Sequence, residues 1–159
     1  MSENERVMRA SAAEVFALLG DGWSYAGWVV GAARVRAVDQ GFPAAGTSIH
    51  HSVGVWPFML NDVTTVEEYE PDRRLVIKVR IWPAGAGRVE FVATSRPDGC
   101  SLLMREEAIE GPAHLVPSAA LDPVLHWRNA ETLRRLAYLA ESRAGLHQTH
   151  PAGVPTEGM

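Results

Sequence analysis

The stretch from Pro117 to Arg143, PSAALDPVLHWRNAETLRRLAYLAESR, is the one segment long and regular enough to form a long helix, so the rest of the chain must fold against it. Asp122-Pro123 predicts its start, because an Asp side chain accepts from free first-turn amides and Pro at the first helical position surrenders a donor that had no partner. The firm helix is then about Pro123 to Arg143, roughly 30 Å at about 1.5 Å per residue. Steps of about 100° place Leu125, Asn129, Leu133, Leu136, Ala137 and Ala140 on one stripe, with Asp122 and His126 at its edge. Its C-terminal half is apolar and suits a sheet. Its N-terminal half is mixed, which fits a space where polar groups are useful, or else Asp122 as a simple cap, His126 half exposed and Asn129 bonded to a loop. Trp127 falls on the opposite face with Glu131, Arg134 and Tyr138.

What the stripe can cover is a sheet. From Val29 onward, Gly and Pro punctuate runs rich in β-branched residues, the pattern of antiparallel strands rather than of alternating strand and helix. The spacing predicts strands at about 30–39, 46–55, 61–70, 74–82, 87–96 and 101–110. Strict alternation of Leu75, Ile77, Val79 and Ile81, and of Val89, Phe91 and Ala93, gives that sheet one buried face. Before it, Glu5 to Ala10 reads as a first strand. Ser11 and Glu14 have capping-box spacing before a helix over about Ala12 to Leu19, and DGWSYAGWV reads as a second short helix. The fold class is α+β: about seven strands, two short helices after the first, and a long C-terminal helix over the apolar face.

The element order, with SAAEVFALLGDGWSYAGWV near the start and HWRNAETLRRLAYLAE near the end, resembles the START-like helix-grip superfamily (SRPBCC), and within it the polyketide cyclase/dehydrase-like proteins. The resemblance covers about residues 3–143 as a single domain. It implies a curved antiparallel sheet gripping the helix around a deep apolar cavity, in proteins that include aromatase/cyclases and lipid or hormone carriers. Residues 144–159, AGLHQTHPAGVPTEGM, lack periodicity and are expected to form a disordered tail.

Three polar residues are candidates for chemistry in such a cavity: His51, Glu106 and Asn129. His50 and His51 are adjacent strand residues and point to opposite faces, so they cannot share a metal. Alternation puts His51 with Ile49 and Val53 on the apolar side, as either a proton shuttle or a satisfied core histidine. Glu106 follows Leu102 and Met104 at period two and also faces inward, where a carboxylate needs a partner; Arg80 and Arg105 are the candidates. Trp23, Trp28, Trp56, Phe58 and Trp82 are expected to line or rim a pocket, since Trp joins a large apolar face to one donor, with core packing as the alternative. His51, His126 and Asn129 complete the expected binding set.

With 159 residues, 47% of them hydrophobic and 21% charged, the chain is sized for one domain with a substantial core. A net charge of −4 and a single lysine argue against nucleic acid or anionic membrane as main partner. One cysteine, Cys100, permits no internal disulfide. The first residues lack an apolar signal region and no stretch reaches about 18 apolar residues, so a cytoplasmic protein without a membrane span is expected. No dinucleotide, P-loop, serine-hydrolase or zinc motif occurs, so no metal or cofactor is expected. The expected function is binding of a small hydrophobic molecule, aromatic, polyketide- or lipid-like, between sheet and helix. The alternatives are a cyclase or dehydratase using His51, Glu106 or Asn129, and a non-enzymatic regulatory or interaction module.

Overall fold

The long helix begins earlier than its strongest local signal. In the computed structural model, which describes residues 1–81 and 83–145, this helix (α3) spans Ser118–Arg143, with Pro117 at its cap and Pro123 inside it. Ala120 and Leu121 both donate to the Pro117 carbonyl, at 2.9 and 3.3 Å, so the Ser-Ala-Ala-Leu run closes a turn ahead of Asp122. Alanine and leucine are strong helix formers, and a proline so near the start removes only one ladder bond. Asp122 is therefore not the cap; its carboxylate lies 3.4 Å from the Met1 amino nitrogen.

The other elements follow the predicted order. They are β1 (Ser2–Met8), α1 (Ala12–Leu19), a 3-10 turn (Gly22–Ser24) running into α2 (Tyr25–Trp28), β2 (Ala32–Val38), β3 (Ser48–Val55), β4 (Phe58–Glu70), β5 (Arg74–Ile81), β6 (Gly85–Arg96) and β7 (Gly99–Glu110). In α1 the capping box is present: Glu14 N donates to Ser11 Oγ at 3.2 Å and Ser11 N donates to Glu14 Oε2 at 2.7 Å. β4 starts three residues earlier than predicted because Trp56-Pro57 is a two-residue turn that pairs Val55 with Phe58. Gly54 permits this closure: its φ is +107° and a Cβ there would lie 2.4 Å from the Phe58 carbonyl oxygen.

All strands pair antiparallel in one seven-stranded sheet, in the order β1-β7-β6-β5-β4-β3-β2. The chain thus crosses from one edge to the other between β1 and β2, carrying α1 and α2, and α3 packs along β1, α1 and α2 with a smaller contact to β7. Val15, Phe16, Leu18 and Leu19 of α1, Leu133, Leu136, Ala137 and Ala140 of α3, and Leu75, Ile77, Phe91, Leu102 and Met104 of the sheet form one buried cluster. That cluster fills the half of the fold under the C-terminal half of α3, as the apolar stripe requires. Residues 146–159, most of the expected tail, lie outside the described residues.

Candidate functional site

Under the middle of α3 the core gives way to a cavity of about 230 Å³. Its walls are Trp28 from α2, Ile77 and Val79 from β5, Val89 and Phe91 from β6 and Met104 from β7. The Trp28 ring is held edge-on to Phe91 (centroids 5.9 Å apart) and to Tyr25 (5.3 Å), and its indole N–H donates to Ser24 Oγ at 3.2 Å. Trp28 therefore offers the cavity an apolar surface while its donor is used internally.

The polar groups converge from three directions. His51 on β3 is 1% exposed, and its Nε2 lies 3.0 Å from Thr64 Oγ1 on β4. The same Thr64 oxygen is 3.0 Å from the Tyr25 hydroxyl, and the Tyr25 and His51 rings lie 4.9 Å apart. Burial pushes the Tyr25 phenol up to about 12, so it keeps its proton. Burial also drives the His51 imidazole below its ordinary value, against the opposing pull of the Asp62 carboxylate, with the Arg36 charge adding to the decrease. Arg36 donates to the His51 carbonyl at 3.3 Å and the Asp62 carbonyl at 3.4 Å, tying the edge strand β2 across β3 and β4.

From the helix side, Asn129 is fully buried, and its Oδ1 accepts from Arg128 Nη2 and Nε at 3.3 and 3.4 Å. A guanidinium has no acceptor, so this contact fixes the amide orientation and leaves Asn129 Nδ2 as the free donor. Arg128 also donates through Nη2 to both carboxylate oxygens of buried Glu106 on β7. The partner of Glu106 is thus Arg128, not Arg80 or Arg105; Arg105 is occupied on the outer face by Glu3 and Glu90. Among the described residues, two buried side-chain polar atoms have no hydrogen-bond partner, His51 Nδ1 and Asn129 Nδ2, and both residues line this cavity.

Of the residues expected at a pocket, the structure brings together Trp28, His51, Glu106 and Asn129. Trp23, Trp56 and Phe58 are 63%, 83% and 85% exposed and stand outside the cavity wall. His126 is exposed, and its carbonyl accepts from Asn4 Nδ2 at 3.0 Å on the β1 side of the helix. Trp82 lies outside the described residues. Thr64, Asp62 and Arg128 were not among the expected residues. The first two were readable from β4, where period-two alternation through Val66 puts Asp62 and Thr64 on the face that pairs with His51.

His51 makes stability pH-dependent with a definite sign. Its folded-state affinity for a proton is below that of the unfolded chain, so the unfolded state gains protons first as pH falls through the ordinary value of 6.5. Its share of stability is complete above that pH and is lost below it, by at most about 1.4 kcal/mol per pH unit. Urea unfolding at pH 7.5 and 5.5 should show a larger loss for wild type than for His51→Gln; equal losses would mean that another group governs the acid limb.

The family described as polyketide cyclase / dehydrase and lipid transport matches residues 2–141. The chain belongs to that family. No curated protein matches the chain. Among solved structures it is similar to the di-domain ARO/CYC StfQ from the steffimycin biosynthetic pathway, with a TM-score of 0.71 at 16% identity over 90% of this chain and 51% of that one. The chain thus spans about half the length of StfQ. It is also similar to SA2116 from Staphylococcus aureus, a protein of unknown function, with a TM-score of 0.71 at 10% identity over 90% of this chain and 94% of that one. Ara h 8.0201 gives 0.67 at 10% identity over 88% and 96%. At these identities the likeness is one of fold, and it is the helix-grip fold: an open antiparallel sheet with a long C-terminal helix and short helices after the first strand. Among the described residues, no helix of this polyketide cyclase / dehydrase family member is long and apolar enough to cross a membrane.

Proposed function

We propose that this family member binds a small, largely apolar molecule, aromatic, polyketide- or lipid-like, in the cavity between sheet and α3, and that the molecule carries an oxygen able to accept from Asn129. The observation that supports this most directly is the pair of partnerless polar atoms, His51 Nδ1 and Asn129 Nδ2, on residues lining one cavity. Each buried group left unpaired costs about 1–3 kcal/mol, a cost readily relieved by a ligand that supplies the missing partner. Native mass spectrometry of protein purified from its own host tests the reading by looking for a co-purified small molecule. A clean apo mass together with no binding of the apolar dye ANS to the folded protein would count against it.

A second reading, catalysis of the cyclase or dehydratase type, is favoured by the neutral His51 backed by two hydroxyls. A neutral imidazole beside a bound carbonyl compound can take or give a proton, and Asn129 can polarise the carbonyl while the walls hold a flexible chain bent. Glu106, engaged at both oxygens by Arg128, serves better as a fixed charge in the wall. Cytoplasmic location and the absence of a nucleic-acid partner remain part of the proposal.

Asn129→Leu separates pocket from core. The variant removes an unsatisfied donor and should unfold within about 1 kcal/mol of wild type, while ligand affinity changes by about 1–3 kcal/mol. Urea unfolding and ANS titration of both proteins supply the first measurement. A variant that fails to fold, beside a wild type that binds no dye, would make Asn129 a purely structural residue.

A further inference from the structure

Thr64 Oγ1 stands 3.0 Å from His51 Nε2 and 3.0 Å from the Tyr25 hydroxyl, and a threonine hydroxyl has one hydrogen to give. Two wirings are open to these three groups. In the first, Tyr25 donates to Thr64, Thr64 donates to His51 Nε2, and the imidazole carries its proton on Nδ1. In the second, His51 Nε2–H donates to Thr64, Thr64 donates to Tyr25, Nδ1 is a bare acceptor, and the Tyr25 O–H is left to the cavity, which Tyr25 also lines. Both contain the same number of protons and the same heavy-atom positions. The imidazole passes between them by exchanging its ring proton with water. Nδ1 is the ring atom that the protein leaves without a partner, on a residue 1% exposed that lines the cavity.

We infer that Thr64 and Tyr25 are positioning residues that let His51 present Nδ1 to a ligand as either donor or acceptor, so that the cavity takes an oxygen in its keto form or its hydroxyl form with similar affinity. This rests on the ligand-binding reading above and deepens it. Asn129 Nδ2 is a donor in every state and selects for an oxygen acceptor; His51 does not discriminate between a ketone and a phenol. Burial supplies the neutral imidazole and the protonated phenol that both wirings need. Were Thr64 a valine, an Nε2–H would be buried with no acceptor, a costlier state than a bare Nε2, and the imidazole would settle with its proton on Nδ1.

Two bicyclic compounds test this, 1-tetralone, which only accepts, and 1-naphthol, which can donate. Calorimetry on wild type should give dissociation constants within about threefold of each other. Two-bond nitrogen-15 spectra should show His51 protonated at Nδ1 with tetralone and at Nε2 with naphthol. Thr64→Val should hold His51 in one tautomer with both compounds and change the ratio of their dissociation constants by about tenfold, the effect of one neutral hydrogen bond. One tautomer in both wild-type complexes overturns the relay, whether or not Thr64→Val folds. An unchanged ratio in a folded Thr64→Val overturns it as well. If neither compound binds wild type, the relay is overturned, while the ligand-binding reading falls only if the folded protein also carries no co-purified molecule and binds no ANS; if both bind and only the tautomer stays fixed, the binding reading stands.

Discussion

Leu136→Ala is expected to cost about 2–5 kcal/mol, with Leu133→Ala in the same range, because each deletes a buried leucine from the packed core and leaves a cavity behind. Leu133 and Leu136 are 1% and 0% exposed and belong with Ala137, Ala140 and the α1 residues Val15 and Phe16 to the buried cluster. For a domain of this size the loss corresponds to a fall in Tm of about 5–15 °C. Val124 lies on the same helix at 64% exposure, and Val124→Ala should stay within about 0.5 kcal/mol. If Leu133→Ala and Leu136→Ala both cost less than about 1 kcal/mol, α3 does not bury this face in solution.

The contrast between legible and illegible residues follows from which rule governs each one. His51 and Asn129 were legible because their orientation depends only on the local period, two in a strand and 3.6 in a helix, and neither β3 nor α3 departs from it at those positions. Trp56 and Phe58 were not, because hydrophobicity reports what a side chain prefers and not where the neighbouring strand ends. β5 begins pairing with β4 at Thr64, so residues 58–60 have β3 as their one neighbour and project past the sheet. Among the clustered aromatics, Tyr25 and Trp28 are three apart on α2 and turn inward together, while Trp23 sits in the preceding 3-10 turn and points to solvent. The helix starts ahead of Asp122-Pro123 because the Ala-Ala-Leu run before that pair already closes a turn on the Pro117 carbonyl. Arg128 escaped for a different reason. Its Cα lies about 100° around the helix from Asn129, and only the length of the side chain carries its charge back over the cavity wall to Glu106.

That reach makes Arg128→Met the other change with a large expected effect. The Glu106 side chain is 5% exposed and both its oxygens accept from Arg128 Nη2, so removing the guanidinium leaves a carboxylate in an apolar wall with no partner. Breaking a buried ion pair from one side costs about 3–5 kcal/mol. The Arg128 side chain is itself 30% exposed, so water can partly replace it and the expected loss is near the lower end, about 3 kcal/mol by urea unfolding. The double change Glu106→Leu with Arg128→Met should recover most of that loss, since well-packed apolar groups commonly replace a buried pair without penalty. A single Arg128→Met that costs less than about 1 kcal/mol would mean that the Arg128–Glu106 pair contributes little to folding. The double variant then separates stability from function: unchanged ANS binding would show that the pair only closes the wall, whereas a folded protein with altered binding would show that its charge orients the ligand.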